Sequence, residues 1–388
     1  MKFTATNLIV TAVFTFCSTS ILSHTPSQVQ NQIKRVVDEA LPPVMAMHGI
    51  PGMAIGIIVG DKSFVFNYGF ASTESKKPIT DDTLFEVGSI SKTLTATLAS
   101  VAQTEGYLSL QDKTSKHLPL LKDTKFGEVS LVHLGTHTPG GLPLQAPENI
   151  QSTDQLMKYF KHWQPAYPTG TYRTYANLGI GMLGFVTAKS MGQDFTVLME
   201  QRLLPALGMS RTFINVPATH LADYAQGYTR DDKPVRMAIG LLSSEAYGIK
   251  TTAIDMVRFM RANMNLVKLD EKLQRAITAT HTGYFKVGNM TQDLIWEQYP
   301  YPTKLATLLE GNSPAMIFDA TAVTVVTPPQ KPRGDVWINK TGSTNGFSAY
   351  VAFVPNMRLG IVILANKTYP ITERVTTAHR ILMGLVGD

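Results

Sequence analysis

The stretch that decides the fold is GFSAYVAFVPNMRLGIVILAN, residues 346–366. It contains two apolar runs, 346–354 and 359–366, and Pro355-Asn356 begins the short segment between them. Short runs rich in Val, Ile, Phe and Tyr that flank a turn signal predict two antiparallel strands. VWINK, residues 336–340, predicts a further strand just before them. The C-terminal part of the chain is therefore expected to build an antiparallel sheet.

The N-terminal part predicts strands of the same sheet. GMAIGIIV and SFVFNYGFA lie on either side of Gly60-Asp61-Lys62 and predict a hairpin over 52–71. Helical spacing of apolar residues over 28–47 predicts a helix that Pro42-Pro43 should kink or interrupt. A second amphipathic helix is predicted over 373–385. Between the two ends, helices are predicted near 92–106, 154–163, 178–191, 194–206 and 253–264.

Strands at both ends and helices between them predict an α/β (α+β) fold. One antiparallel sheet is built from both termini and flanked by helices, and a mostly helical lobe is inserted into it. We expect the α/β lobe to cover about 28–85 and 320–388 and the helical lobe about 86–319. A binding site is expected in the cleft between the lobes.

Residues 1–23 have the pattern of a secretory signal peptide: a short basic start, the apolar run 8–16 and then small residues. The mature chain, 24–388, is expected to be a single exported domain. Cys17 is the only cysteine, so disulfides and a thiol nucleophile are excluded from the mature chain. Thr15-Phe16 before Cys17 disfavours lipid attachment there, and we expect no stable membrane association after signal removal.

Composition and motifs exclude several other classes of protein. The 35 basic and 29 acidic residues give a net charge of +6, but the basic residues are scattered, which argues against nucleic-acid binding. His133 and His137 are four residues apart without the Glu of a zinc hydrolase motif, so no metal or other cofactor is expected. A Gly-x-Ser-x-Gly nucleophile elbow and nucleotide-binding glycine motifs are also missing.

The stretch VGSISKTLTATL, residues 87–98, offers a different nucleophile. Ser89 and Lys92 are three residues apart and share one face of a predicted helix. Serine needs a base to become a good nucleophile, and a lysine can be that base when burial or positive charge destabilises its cationic form. Taken alone, the tetrad also fits a serine that caps a helix followed by a solvated lysine.

Two later motifs change this interpretation. Tyr175-Ala176-Asn177 places a phenol and a carboxamide before an apolar helix, and Lys340-Thr341-Gly342 places a lysine in a strand. Each is weak by itself, because Tyr175 could be a half-buried aromatic residue and Lys340 a charge on an edge strand. The ordered set of three motifs is far more specific.

This set resembles the penicillin-recognising serine acyltransferases, and its context resembles class C serine β-lactamases, or cephalosporinases. The resemblance runs from about residue 28 to 386 and includes FEVGSISKTLTATL, TPGGLPLQAP, EAYGIKT and NKTGSTNGFSAYVAFVP. It implies a β-lactamase/transpeptidase-like fold and a serine hydrolase without a cofactor. The signal-like segment 1–23 predicts a periplasmic location, and the sequence has no evident dimerisation segment, which favours a monomer. The implied activity is hydrolysis of β-lactam antibiotics, mainly cephalosporins, which confers resistance.

The resemblance also implies a role for each motif residue. Ser89 would attack the lactam carbonyl, Lys92 and Tyr175 would share base and acid duty, and Lys340 would complete the catalytic set. The backbone N–H groups of Ser89 and Ser343 would form the oxyanion hole. The implied substrate-binding residues are Gln145, Asn177, Tyr247, Lys340, Thr341, Gly342, Ser343 and Arg374.

Three features depart from the class C pattern, and two alternatives stay open. Ile180 follows Leu178-Gly179 where a serine is common, Ala238-Ile239-Gly240 stands where Pro-Gly is usual, and Ile371 replaces a common asparagine. A D-Ala-D-Ala peptidase or esterase of the same superfamily would share the four catalytic residues. A β-lactam or peptidoglycan sensor would acylate without hydrolysis, so deacylation distinguishes the β-lactamase from both.

Overall fold

The structure, a computed structural model, describes residues 26–387. The predicted signal peptide, 1–23, and Cys17 lie outside the described residues. Within the described part of the chain, no helix is both long enough and apolar enough to cross a membrane.

The molecule contains a nine-stranded antiparallel sheet and three separate two-stranded sheets. The strands are β1 (Gly52–Val59), β2 (Lys62–Gly69), β3 (Phe85–Glu86), β4 (Tyr172–Arg173), β5 (Gly227–Tyr228), β6 (Pro234–Val235), β7 (Lys250–Thr251), β8 (Gly283–Val287), β9 (Met290–Gln292), β10 (Glu297–Pro300), β11 (Thr321–Ala322), β12 (Thr324–Gln330), β13 (Val336–Ser343), β14 (Ser348–Val354) and β15 (Leu359–Ala365). The order in the large sheet is β12-β8-β9-β10-β13-β14-β15-β1-β2.

The two ends of the chain meet in this sheet, as the sequence predicts. β15 pairs with β14 on one side and with β1 on the other, so that Ala365 lies opposite both Ser348 and Met53. β1 and β2 form the predicted hairpin, with Val59 opposite Lys62. The predicted fold class is therefore confirmed.

The sheet also contains four strands that the sequence did not predict: β12 at its edge, and β8, β9 and β10. β8, β9 and β10 add to the sheet beside β13, although they lie in the range assigned to the helical lobe. They are short, and their buried positions include the polar residues Gln292, Glu297 and Gln298. Because these residues are buried but not apolar, the alternation that marks a half-buried strand is missing.

Helices cover both faces of the sheet and fill the middle of the chain. The α-helices are α1 (Pro26–His48), α2 (Ser91–Thr104), α3 (Thr114–His117), α4 (Leu131–Gly135), α5 (Thr153–His162), α6 (Asn177–Ser190), α7 (Phe195–Leu198), α8 (Leu204–Ala206), α9 (Ser243–Ala246), α10 (Ala253–Asn263), α11 (Glu271–Ala279), α12 (Leu305–Gly311), α13 (Ala315–Phe318) and α14 (Ile371–Val386). The predicted helices are found to within two residues at each end, with a π-helical segment, Met199–Leu203, joining α7 and α8.

The predicted interruption of α1 is absent. The helix continues through Pro42 and Pro43 to His48. Val37, Ala40 and Leu41 of this helix are buried in the core that also contains α14 and one face of the sheet. We attribute the continuity to this packing, which offsets the backbone hydrogen bonds that proline cannot donate.

The two faces of the sheet belong to different cores. On β1, Met53, Ile55 and Ile57 pack with α1 and α14, whereas Ala54 and Ile58 pack towards α2 and α10. This division follows from the twofold alternation of side chains along a strand. A third core lies inside the helical part of the chain and includes Ala96 and Ala99 of α2. α2 thus contributes to two cores and links the sheet to the helical part.

A close backbone approach joins the start of α2 to the end of β13. The 3₁₀ turn Gly88–Ile90 precedes α2, and Gly88 has a φ of +50°. A Cβ at Gly88 would lie 2.4 Å from the carbonyl oxygen of Ser343, and a Cβ at Gly342 would lie 2.0 Å from that of Val87. Only glycine fits at either position. The approach places Ser89 directly beside the last residues of β13.

We expect Gly88→Ala to lower the free energy of unfolding by about 3 kcal/mol or more, because a left-handed conformation and a steric clash add their costs. Gly192→Ala is the matched control, since Gly192 has a φ of +67° and open space around its Cβ position. The control should lose only about 1–2 kcal/mol. Urea denaturation of both variants measures the difference, and equal losses would show that the contact with Ser343 is not tight.

Candidate active site

Ser89 and Lys92 meet at the start of α2. Lys92 Nζ donates hydrogen bonds to Ser89 Oγ at 2.8 Å and to the carbonyl oxygen of Ala246 at 2.9 Å. Every residue of α2 from Ser91 to Ala102 is buried, and the Lys92 side chain is fully enclosed. The alternative of a solvated surface lysine is therefore wrong for Lys92.

The surroundings of Lys92 destabilise its ammonium form. Burial lowers the pKa of Lys92 to about 8, with a further lowering by the charge of Lys340 and an opposing effect of Tyr175. Removing an ammonium group from water destabilises its charged form, which is the physical reason for the shift. An amine with this pKa can accept a proton near neutral pH while it is hydrogen-bonded to Ser89.

Tyr175 lies beside both lysines. The Nζ atoms of Lys92 and of Lys340 are each 5.3 Å from the centre of its ring, and the ring is buried. Burial alone would raise the pKa of Tyr175, but the charges of Lys340 and Lys92 and a hydrogen bond with Ser89 outweigh it, so the pKa is lowered. Two cations at this distance stabilise a phenolate.

Lys340 is held in the interior and not on an edge strand. Its strand, β13, lies between β10 and β14, so the interpretation as an edge charge is wrong. Lys340 Nζ lies 3.5 Å from Glu297 Oε1, and Arg173 Nη2 lies 3.1 Å from the same oxygen. All three charged side chains are buried, and the Glu297 carboxylate compensates the desolvation of both cations.

Arg173, Glu297 and the carbonyl of Ala246 are site components that the sequence analysis missed. Glu297 is the only charged residue of the apolar stretch 294–300, LIWEQYP. A lone acid among buried aromatic residues needs a partner, and that is the signal that could have revealed it. The carbonyl of Ala246 carries no such signal, because any residue offers a carbonyl.

The structure brings two predicted substrate-binding residues, Asn177 and Gln145, close together in the fold. Asn177 opens α6, and its backbone N–H donates to the carbonyl of Leu144 at 2.8 Å, which ties it to the loop that carries the exposed Gln145. The side-chain oxygen of Asn177 is buried without a hydrogen-bond partner among the described residues.

Tyr247 lies next to the Lys92 site and is half-buried. It directly follows Ala246, the residue whose carbonyl accepts from Lys92, and burial raises the pKa of its phenol. In the loop that departs from the class C pattern, a Cβ at Gly240 would lie 3.3 Å from the Tyr247 hydroxyl, and the neighbouring Ile239 is exposed. The altered loop therefore borders Tyr247.

The residues at the end of β13 are divided between the two faces of the sheet. Lys340 and Gly342 lie on the face towards α2, and strand alternation puts Thr341 and Ser343 on the face towards α14. Arg374 of α14 is fully buried and donates to the Gly342 carbonyl at 2.7 Å and to Ser343 Oγ at 2.9 Å. Arg374 thus holds the end of the strand that carries Ser343.

The two histidines of the 133–137 pair do not form a metal site. Nδ1 of His133 lies 2.8 Å from Thr138 Oγ1, whereas Nδ1 of His137 accepts a hydrogen bond from the backbone N–H of Ala176. Among residues 26–387, no group of three or more His, Cys, Asp or Glu side chains is arranged to hold a metal ion.

Comparisons with known proteins agree with this geometry. The family model described as Beta-lactamase matches residues 37–385. A β-lactamase of Pseudomonas fluorescens is 51% identical over 353 residues, which is 91% of this chain and 99% of the relative. The solved D-alanine carboxypeptidase AmpC from Burkholderia cenocepacia is 56% identical with a TM-score of 0.88, covering 91% of this chain and 99% of its own. A class C β-lactamase in complex with cefoxitin is 50% identical with a TM-score of 0.89 over the same shares.

The buried lysine should be visible in the pH dependence of stability. Its pKa of about 8 lies below the ordinary lysine value of 10.5, so between these two pH values the unfolded chain binds more protons and wild-type stability rises with pH. The unfolding free energy of Lys92→Met minus that of the wild type should therefore fall, by about 3 kcal/mol in total, as the pH rises from 8 to 10.5.

Urea denaturation across this pH range measures the difference. Lys272→Met, at an exposed position of α11, is the matched control, and its difference from the wild type should stay constant. A constant difference for Lys92→Met as well would contradict a destabilised ammonium group at position 92.

Proposed function

This chain belongs to the β-lactamase family, and on that premise we propose that it hydrolyses β-lactam antibiotics, mainly cephalosporins, through an acyl-enzyme on Ser89. It is a serine β-lactamase of the class C type. The observation that carries the proposed mechanism is the buried Lys92, hydrogen-bonded to Ser89 and next to Tyr175. The proposed consequence for the cell is resistance to these antibiotics.

Acylation begins at Ser89. Its Oγ forms a bond to the lactam carbonyl carbon, and its proton passes to the Lys92–Tyr175 pair. The carbon–nitrogen bond of the ring then breaks, and the same pair delivers a proton to the departing nitrogen. Positioned acid–base groups of this kind contribute about 10²- to 10⁴-fold to the rate. The product is an ester of Ser89 with the opened antibiotic.

We assign the stabilisation of the oxyanion to two backbone N–H groups, those of Ser89 and Ser343. The close approach at Gly88 supports this assignment, because it brings the backbone of Ser343 to the turn that carries Ser89. Each such donor contributes about 10²- to 10³-fold in rate when it is aimed at the developing charge. Gly342 lies beside this turn, where the Val87 carbonyl takes the space that a Cβ would need.

Substrate binding is assigned to the polar groups around this centre. Asn177 and Gln145 would bind the acylamido group, and Tyr247 would form a wall of the side-chain pocket. The side-chain oxygen of Asn177 has no hydrogen-bond partner among residues 26–387 and is free to accept from substrate. Lys340, Thr341 and Ser343 would attract the substrate carboxylate. Arg374 would contribute through Ser343, since its Nη atoms already donate to Ser343 and to backbone carbonyls.

Deacylation completes the reaction. A water molecule loses a proton to Tyr175 and forms a bond to the ester carbon. The bond to Ser89 Oγ breaks, and Oγ regains a proton from the Lys92–Tyr175 pair. The lowered pKa of Tyr175 supports this role, because a phenolate is the form that can accept the proton.

A D-Ala-D-Ala peptidase is the second candidate. The similar protein from Burkholderia cenocepacia is named a D-alanine carboxypeptidase, and the acylating groups would be the same for both activities. The two functions differ in the lifetime of the acyl-enzyme formed with a β-lactam.

The location and assembly state are also proposals. The signal-like segment 1–23 supports export, and we assign the mature protein to the periplasm as a monomer. Mass spectrometry of the mature protein tests the cleavage, and a mass that includes residues 1–23 would contradict it.

Mixing the purified protein with a chromogenic cephalosporin tests the main proposal. We expect many turnovers per enzyme and, after rapid quenching, a transient mass increase that peptide mapping places on Ser89. Ser89→Ala should lose turnover by about 10⁵-fold and lose the adduct as well. One turnover with a lasting adduct would favour the peptidase, and an adduct on the Ser89→Ala protein would overturn the assignment.

Tyr175→Phe should lower kcat for cephalosporin hydrolysis by about 10²- to 10⁴-fold, because the proton carrier is lost while the ring is kept. Tyr68→Phe is the matched control. It also removes a tyrosine hydroxyl, but this hydroxyl is hydrogen-bonded to Asp38 at the far edge of the sheet. Steady-state kinetics of both variants is the measurement. Equal kcat values for Tyr175→Phe and Tyr68→Phe would exclude Tyr175 from proton transfer.

A further inference from the structure

His137 is a buried residue in an unusual conformation beside Tyr175. It follows α4 with a φ of +61°, a left-handed conformation that is uncommon for residues other than glycine. Its ring centre lies 4.3 Å from that of Tyr175, with the planes 37° apart. Sparsely populated conformations of this kind persist only where surrounding contacts impose them, and they cluster at functional sites.

His137 contacts the backbone on both sides of Tyr175. Its carbonyl accepts a hydrogen bond from the N–H of Thr174 at 2.8 Å, and its Nδ1 accepts one from the N–H of Ala176 at 3.3 Å. A backbone N–H can only donate, so Nδ1 must carry a lone pair and the proton of a neutral ring must be on Nε2. One histidine thus binds the backbone of both residues next to Tyr175 and also packs against the tyrosine ring.

The charges around His137 oppose its protonation. Burial, followed by the charges of Arg173, Lys92 and Lys340, holds the pKa of His137 well below its usual range. Arg173 reaches Tyr175 from β4, with its Cζ 5.5 Å from the ring centre, Lys92 from α2 and Lys340 from β13. Glu297 of β10 is the acidic group of this cluster, and it is paired with Arg173 and Lys340. The Nε2 atom is buried without a hydrogen-bond partner in the described part of the chain.

We propose that His137 is a positioning residue for Tyr175: a neutral imidazole, protonated on Nε2, that holds the backbone on both sides of the tyrosine and packs against its ring. An imidazole fills this space and accepts the Ala176 N–H without adding a further positive charge to the cluster. Tyr175 then keeps one orientation relative to Ser89 through the proton transfers of acylation and deacylation. This inference rests on the proposed role of Tyr175 in the reaction.

Two substitutions separate the parts of this role. His137→Phe keeps a ring against Tyr175 but removes the acceptor for Ala176, and His137→Asn tolerates the left-handed backbone and keeps an acceptor but removes the ring. We expect each to lower kcat by about 10- to 100-fold, because a misplaced catalytic group slows the chemical step. KM should change much less than kcat.

A double-mutant cycle with Tyr175→Phe distinguishes positioning from a general loss of stability. If His137 acts through Tyr175, His137→Phe should cost nothing further in the Tyr175→Phe protein. His281→Phe is the matched control, because His281 is also buried but is hydrogen-bonded to Asn263, away from Tyr175. Its effect on kcat should be small and equal in both backgrounds. An equal loss from His137→Phe in both backgrounds would overturn the inference.

Nitrogen-15 NMR of the histidine-labelled wild type tests the same inference without a variant that must fold. We expect a protonated Nε2 and an unprotonated Nδ1 for His137 at every pH from about 5 to 9. A cationic ring or a proton on Nδ1 in that range would overturn it. Failure of the proposed role of Tyr175 can be distinguished from failure of this inference. If Tyr175 has no role in proton transfer, the single variant Tyr175→Phe will show undiminished turnover, whatever the state of His137.

Discussion

The enclosure of Lys92 at the start of α2 is the constraint on which the rest of the site depends. An amine removed from water is stable there only if hydrogen bonds and neighbouring groups compensate its desolvation. Ser89 Oγ and the Ala246 carbonyl accept its hydrogen bonds, and Tyr175 lies beside it. The same burial that makes this lysine costly for stability makes it a usable base near neutral pH.

Tyr175 shows how opposing effects of burial and charge combine. The phenol is buried, which disfavours its anion, and it lies at equal distances from two lysine ammonium groups, which favour it. Glu297 partly neutralises the positive charge around Tyr175, because its carboxylate pairs with Lys340 and Arg173. The net result is a pKa of Tyr175 below the usual value for a phenol, which suits a group that both accepts and returns a proton.

The geometry of the site depends on the junction between the sheet and the helical part. Gly88 and Gly342 let the turn before α2 approach the end of β13 more closely than any side chain would permit. Arg374 fixes that strand end from the other face of the sheet. The nucleophile and the substrate-facing strand thus come from distant parts of the chain, 88–92 and 340–343, yet they are held by direct backbone contact.

The local elements could be predicted from the sequence because they depend on neighbouring residues, and the chemistry because an ordered set of motifs resembles a known family. The hairpin β1–β2, the pair β14–β15 and the helix after Ser89 follow from apolar periodicity, and the ordered motifs at Ser89, Tyr175 and Lys340 indicate serine acyl transfer. The strands β8–β10 and the buried pair Glu297–Arg173 could not be predicted, because polar residues in the interior are compensated only by long-range partners. Tertiary structure alone decides that Lys92 is enclosed, that His137 flanks Tyr175 and that Arg374 reaches Ser343, since each depends on contacts between segments far apart in the chain.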